Sequence, residues 1–254
     1  MTGAARTVAA LARRALNEIF RVPGAAIPGI LAPTIFMLGL SSVFGNAVHI
    51  PHFGVSDFRT YIVPVGLLQA AGFTGAATGV NLARDIEQGW FDRLLLSPTP
   101  RVVLLAGIVS SASLRALLPS SFLLLVATLL GVRFPGFLGI VVAALLVMGL
   151  AMAIAFYAVI LALRFRTQQA APLMQMGGFI AVLFTSAYAP RALLTPWLRT
   201  VSDLNPVTDV LTGVRQGFIG SVTWADTGPA LLALGAMLLV LGALAVRGLR
   251  RTGV

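Results

Sequence analysis

The sequence predicts an all-α, polytopic membrane protein, and three observations support this fold class. Of the 254 residues, 58% are hydrophobic and only 10% are charged, whereas soluble domains carry about 25% charged residues. Six apolar stretches each approach the ~20 residues that a membrane-spanning helix requires. Arginines cluster in alternate connections between these stretches, as expected of a chain that crosses a bilayer repeatedly. We therefore expect one membrane domain over residues 1–254.

The first predicted element is an amphipathic helix over residues 7–21. At 100° per residue its aliphatic side chains lie on one side and its basic and polar side chains on the other. A helix of this kind lies in the headgroup region of a bilayer, along the membrane surface. Pro23 and Gly24 end the helix and turn the chain towards the first span.

Six spans are predicted, at residues 24–48, 61–82, 102–132, 137–163, 172–189 and 226–246. The third is too long for a simple span, and we expect its first part to project beyond the bilayer. The fifth is short and is followed by Pro190 and Pro196. The connection at 190–223 alternates polar and apolar residues, which predicts short helices that re-enter the membrane between spans five and six.

Arginine counts predict the orientation, because cytoplasmic connections carry the excess of basic residues. One side of the spans holds twelve arginines, namely Arg6, Arg13, Arg14, Arg21, Arg84, Arg93, Arg101, Arg164, Arg166, Arg247, Arg250 and Arg251. The other side holds five, namely Arg59, Arg133, Arg191, Arg199 and Arg215. We therefore expect both termini in the cytoplasm and the protein in the cytoplasmic membrane of a bacterium. The net charge of +10 then reflects basic residues next to anionic lipid rather than a nucleic-acid-binding surface.

The residues that are missing restrict the chemistry. The chain has no cysteine, and its two histidines, His49 and His52, have only Asp57 nearby, so we expect no metal site. No Asp or Glu lies inside a predicted span, which argues against an ion-coupled carrier. The chain also has no lysine and so lacks the lysine of a phosphate-binding loop. If ATP drives this protein, the ATPase must be another chain.

The segment at residues 84–100 is the most unusual part of the sequence, because it is charged yet lies between two apolar spans. At 100° spacing Ile86, Trp90 and Leu94 form an apolar ridge that would fit a groove on a partner protein. Gly89 either kinks this helix or allows a close backbone approach. The alternative interpretation is a solvated loop at the lipid surface.

Two features inside the spans have more than one interpretation. Arg115 in span three could face a polar cavity or the substrate path, but we favour a side chain that snorkels to the cytoplasmic surface. Gly75 and Gly79 form a small-x-x-x-small pattern that packs helices closely in membranes. Such a pattern also occurs by chance in a chain with 26 glycines.

Two motifs carry a resemblance to a known family. The first is Arg84-Asp85-x-Glu87-x-Gly89-x-x-Asp92-Arg93-Leu94-Leu95-x-Ser97-Pro98-x-Pro100-Arg101, after a span that begins Tyr61-Ile62-Val63-Pro64. The second combines Phe184-Thr185-Ser186-Ala187-Tyr188-Ala189-Pro190 with Pro196-Trp197-Leu198, Asn205-Pro206 and Arg215-Gln216-Gly217. In this order they resemble the type-2 ATP-binding-cassette (ABC) exporter permeases, most of all the daunorubicin-resistance-like branch.

The resemblance implies an N-terminal interfacial helix, six spans, two short helices re-entering between spans five and six, and a coupling helix that contacts an ABC ATPase. It implies two permease subunits, copies or paralogues, with two ATPases that bind the ATP and Mg²⁺. This chain itself would bind no cofactor. Carried onto this sequence, the coupling surface comprises Arg84, Asp85, Glu87, Gly89, Trp90, Asp92, Arg93 and Leu94. Trp90 and Phe91 depart from the family pattern, in which Thr and a smaller or aliphatic residue are common.

The function expected from the resemblance is ATP-driven export of a hydrophobic or amphipathic compound, either a drug or a lipid. The alternative is export of a lipid-linked glycan by the same type of complex. Two other classes fit the sequence less well. An intramembrane enzyme would need acids at a span end, and the clustered acids lie in the coupling segment. A scaffold or sensor would bind the ATPase without moving a substrate.

Overall fold

The computed structural model describes residues 10, 13, 23–51, 53, 55–96 and 99–251. Apart from Ala10 and Arg13, which are helical, the predicted interfacial helix at 7–21 lies outside these residues. Throughout the described part the chain forms helices and turns and no β-strand, which confirms the all-α class.

The helices are numbered here in chain order. They are α1 (Pro23–Phe44), α2 (Phe58–Glu87), α3 (Trp90–Leu95), α4 (Arg101–Leu129), α5 (Gly136–Phe165), α6 (Ala171–Leu183), α7 (Pro196–Leu204), α8 (Pro206–Ile219) and α9 (Trp224–Arg251). Short 3₁₀ turns lie at Gly45–His49, Gln168–Ala170 and Arg191–Leu193.

Five helical segments of the described chain are long and apolar enough to cross a membrane. They are Gly29–His49, Phe58–Glu87, Arg101–Leu129, Gly136–Phe165 and Trp224–Arg251. They correspond to five of the six predicted spans and confirm a multi-pass membrane protein. The remaining predicted span contains α6, which has 13 residues and is about 20 Å long, shorter than the roughly 30 Å hydrocarbon core. The count of six spans stays a prediction.

The helix in the predicted fifth span ends at Leu183. The Asn205 side chain, from the connection that follows, donates hydrogen bonds to carbonyl groups at this helix end. Asn205 donates through Nδ2 to the carbonyl oxygens of Ala181 and Phe184, at 2.7 and 3.0 Å. Its Oδ1 accepts from the backbone N–H of Val207 at 3.0 Å and caps α8. One amide thus satisfies the backbone at the end of α6 and at the start of α8.

Helix α2 lies at the centre of the bundle and packs against α1, α4, α5, α6 and α8. Its contact with α5 depends on the glycine pattern. A Cβ added at Gly75 would lie 2.6 Å from the carbonyl oxygen of Ala151, and one at Gly79 would lie 2.5 Å from the Cβ of Ala158. The pattern therefore packs two helices of the same chain closely, as small residues do in membranes.

The two short helices expected between spans five and six are α7 and α8. Gly217 of α8 lies against Gly139, near the start of α5, and Gly213 lies against Leu146, two turns further along. Helix α8 therefore runs antiparallel to the first part of α5, inside the bundle. Whether the pair enters the bilayer from outside stays a prediction.

An ion pair ties α7 to the turn before it. Arg191 donates to both carboxylate oxygens of Asp203, from Nε to Oδ1 at 2.6 Å and from Nη2 to Oδ2. These hydrogen bonds hold the pKa of Asp203 below its usual value and raise the pKa of Arg191. The ion pair therefore stabilises the folded protein fully at pH values above the unfolded-state pKa of Asp203. This stabilisation is lost as the pH falls through the lower pKa that Asp203 has in the folded protein.

Candidate functional site

The charged segment between α2 and α4 is not the single helix that the sequence predicts. Helix α2 continues to Glu87, where the N–H of Gln88 still donates to the carbonyl of Arg84 at 3.0 Å. Gly89 then adopts a φ of +70°, and α3 begins at the next residue. Glycine takes this left-handed conformation readily, and it ends helices for that reason. Of the two interpretations of Gly89, the structure shows the change of helix direction, and a Cβ built at Gly89 has no heavy atom within 4 Å.

The predicted apolar ridge is therefore wrong. Ile86 belongs to α2 and Trp90 to α3, and the turn between them removes the 100° spacing. Ile86 and Phe91 are buried in one apolar cluster with Leu105 and Val109 of α4, and Leu94 packs against it. Phe91, rather than Trp90, is the buried aromatic anchor of α3. Sequence reasoning missed Phe91 because the 100° spacing used for the ridge runs through residue 89 and selects Trp90.

The eight predicted coupling residues differ in their accessibility. Glu87, Asp92 and Arg93 are exposed, whereas Arg84, Asp85, Gly89, Trp90 and Leu94 are half-buried. Arg84 donates through Nη2 to Oδ1 of Asn81, one turn earlier in α2. The segment thus presents alternating charges to the surface and anchors itself through apolar side chains. We call this end of the bundle, with α3 and residues 164–170, the arginine-rich end.

A second connection lies beside this segment. The Glu87 carboxylate accepts three hydrogen bonds, from Thr167 Oγ1 at 2.7 Å, from the Gln168 N–H at 3.0 Å and from Gln168 Nε2 at 2.6 Å. Asp92 lies 3.5 Å from Arg166 in an exposed ion pair. We call residues 166–170 the second loop. No local pattern in the sequence indicates this contact, since Glu87 and Thr167 are 80 residues apart.

Arg115 is placed differently from the favoured prediction. Its side chain is buried and donates through Nη2 to Oγ1 of Thr78 on α2. The prediction that it snorkels to the cytoplasmic surface is wrong, because Thr78 offers an acceptor inside the bundle. Arg115 therefore contributes a cation between α2 and α4, and its role in a substrate path stays a prediction.

A second buried arginine was not anticipated. Arg215, counted from the sequence in an external connection, donates from Nη1 to the carbonyl of Ser186 at 3.0 Å and from Nη2 to that of Ala187 at 3.1 Å. Its guanidinium carbon lies 3.8 Å from the centre of the Tyr61 ring, and the Tyr61 hydroxyl donates to the same Ser186 carbonyl at 2.9 Å. This arrangement joins α8, α2 and the turn after α6. The sequence feature that could have pointed to a structural role for Arg215 was its place in the Arg215-Gln216-Gly217 motif.

Metal ligands do not cluster in the described part of the chain, where no group of three or more His, Cys, Asp or Glu could hold an ion. His49 lies with Nδ1 3.2 Å from the carbonyl of Asn46. His52 lies outside the described residues.

Fold and site together define a multi-pass helical membrane protein with a charged, structured surface at one end of an apolar bundle. Comparison with known families identifies it further. Residues 6–219 match the ABC-2 type transporter family, and the chain belongs to that family. It is a permease, the membrane-spanning transport subunit, and permeases of this family work with an ATP-binding subunit.

Individual relatives agree with this assignment. The daunorubicin resistance ABC transporter permease protein DrrB1 of Streptomyces coeruleorubidus is 26% identical over 242 residues, 92% of this chain and 82% of that protein. A putative transport permease, ycf38, of Cyanophora paradoxa is 26% identical over 208 residues, 81% of this chain and 71% of that protein. The ycf38 protein of Pyropia yezoensis is 28% identical over 228 residues, 87% and 76% of the two chains.

Proposed function

We propose that this permease exports a hydrophobic or amphipathic compound, driven by ATP hydrolysis on a separate ATPase chain that docks at the arginine-rich end. That end would face the cytoplasm of a bacterium, with both termini on the same side. ATP and Mg²⁺ would bind to the ATPase. Two permeases, either two copies or this chain with a paralogue, would complete the transporter with two ATPases.

The observation that carries the proposal is the structure of the segment at 84–100. Between Arg84 and Leu96 its exposed charges lie on a backbone anchored by buried Ile86 and Phe91, which supports a docking surface over a solvated loop. The turn at Gly89 separates α3 from the central helix α2 by only two residues. A force applied to α3 would therefore reach the helix that contacts most of the bundle.

The cargo class follows from the side chains of the spans. None of the eight acidic residues of the chain lies in the middle of a predicted span. A path through such a bundle favours an apolar or amphipathic compound over an ion-coupled substrate. The name of the Streptomyces relative associates that protein with daunorubicin resistance, which makes daunorubicin the first compound to test.

Co-purification with the ABC ATPase of the same organism that associates with this chain on co-expression tests the docking surface. Arg93→Glu should reduce the amount of bound ATPase at least about tenfold, since a reversed charge in a complementary interface costs more than the 1.4 kcal/mol that this factor requires. Arg133→Glu is the matched control, because Arg133 is also exposed but lies beyond the other end of α4. Equal ATPase binding by both variants would contradict docking at the arginine-rich end.

A further inference from the structure

The carboxylate of Glu87 is engaged within the chain. All three of its hydrogen bonds go to the second loop, two of them to Gln168. Glu87 is also the last residue of α2. A carboxylate that accepts several short bonds from neighbouring donors is held in one place. The end of the central helix is thereby fastened to the second loop.

An apolar contact lies beneath these hydrogen bonds. Ala170 of the second loop and Met174 of α6 are buried in the same cluster as Ile86 and Phe91. The second loop leads without a break into α6, because its 3₁₀ turn ends at Ala170 and α6 begins at Ala171. The coupling segment, the second loop and the start of α6 thus share polar contacts at the surface and apolar contacts below.

Helices α2 and α6 meet again further along. A Cβ added at Gly178 would lie 3.5 Å from the Cα of Gly72, so the two backbones approach closely at this crossing. Two separate points of contact fix the direction of one helix relative to the other. A displacement of the arginine-rich end of α2 would therefore carry α6 with it.

The second loop also carries a backbone feature. Arg166 has a φ of +55°, the left-handed conformation that favours glycine at the end of a helix. The left-handed conformation is strained for arginine, because its Cβ comes close to the following carbonyl oxygen. Nη2 of Arg166 lies 3.5 Å from Oδ1 of Asp92 in α3. The second loop is thus attached to both sides of the turn at Gly89.

We propose that the second loop is the other half of the coupling device: Glu87 is a positioning residue that makes α6 move as one unit with α2 and α3. This proposal rests on the proposed function, because the ATPase supplies the motion. It assigns Glu87 a role inside the permease, distinct from direct contact with the ATPase.

The test compares Glu87→Ala with Thr167→Val/Gln168→Ala in the complex with the ATPase, reconstituted in lipid. Both variants should retain the ATPase in co-purification, because the side chains of Glu87, Thr167 and Gln168 bond to one another rather than to a partner, but should lose the stimulation of ATP hydrolysis by daunorubicin or another amphipathic compound about fivefold or more. Combining them should cause no loss beyond that of Glu87→Ala, because Glu87→Ala removes all three hydrogen bonds and Thr167→Val/Gln168→Ala removes two of the same three. Gln169→Ala, an exposed residue of the same 3₁₀ turn, is the control and should keep full stimulation.

A cross-link provides the second measurement, and it uses the absence of cysteine in the chain. Glu87→Cys/Thr167→Cys should be uncoupled before treatment, be joined by a short bifunctional thiol-reactive cross-linker and regain stimulation, while either single variant stays unchanged by the reagent. Full stimulation in Glu87→Ala or in Thr167→Val/Gln168→Ala, or a cross-linked pair that stays unstimulated, would overturn the proposal. Loss of ATPase binding in Glu87→Ala alone would show direct contact with the ATPase instead. If Arg93→Glu does not reduce ATPase binding, the proposed docking surface is wrong. The comparison of Glu87→Ala with Thr167→Val/Gln168→Ala tests the contact inside the permease and does not depend on that result.

Discussion

Replacing Gly79 with leucine should strongly destabilise the folded protein. A Cβ at this position would lie 2.5 Å from the Cβ of Ala158, 2.6 Å from its carbonyl carbon and 2.7 Å from its oxygen. Backbone atoms cannot rotate away as the end of a side chain can, so α2 and α5 would have to separate. Overpacking of this kind costs about 1–3 kcal/mol or more. We expect the midpoint of thermal unfolding in detergent to fall by at least about 5 °C.

The control for this substitution is Gly39→Leu. Gly39 lies on α1, and a Cβ built there has no heavy atom within 4 Å, so the same change of residue should have little effect. Gly79→Ala should lie between the two, since it adds the first carbon of the clash and nothing beyond it. A Gly79→Leu protein as stable as Gly39→Leu would show that α2 and α5 are not packed as described.

Replacing Arg215 with alanine should cost about 3 kcal/mol or more, measured as a lower unfolding midpoint in detergent. The substitution removes the donors to the carbonyls of Ser186 and Ala187 and the contact with the Tyr61 ring. It also leaves a space where three segments meet. Arg215→Lys should recover only part of the loss, because one ammonium group cannot bridge two carbonyls and stack on a ring as a planar guanidinium does.

Arg191→Ala is the control for the buried arginine. Arg191 lies at the same end of the bundle but is exposed, and its ion pair with Asp203 is open to solvent, so its removal should have a much smaller effect. Equal losses in the two variants would mean that general charge at this end, rather than the arrangement around Tyr61, stabilises the protein.

Most helices could be predicted from the sequence because their length and apolarity are local properties. The span predicted at 61–82 corresponds to Phe58–Glu87, and it was predicted too short because charged residues near its end were assigned to a loop. The end of α6 could not be predicted. It depends on Asn205, which reaches back 24 residues to the carbonyl of Ala181, and no local pattern reports such a contact.

In the candidate site, too, local features could be predicted from the sequence and contacts between distant residues could not. The kink at Gly89 follows from the residue type, and the exposed charges of the segment follow from composition. The contact of Glu87 with Thr167 and Gln168 arises only when α2 and α5 bring the two connections together. Arg215 was counted in the external connection between spans five and six, where short helices were predicted, and no local pattern shows its partners. It is buried because two backbone carbonyls and an aromatic ring receive its guanidinium group.

ATP-driven uptake of daunorubicin into lipid vesicles tests the central claim most directly. The permease and its ATPase are reconstituted with the ATPase outside, and uptake is measured with and without ATP. We predict ATP-dependent uptake by the wild type and Arg133→Glu complexes and its loss in Arg93→Glu. A complex that binds and hydrolyses ATP but takes up neither daunorubicin nor any other amphipathic compound would contradict the account, and uptake of a lipid-linked glycan instead would identify the cargo as the alternative class.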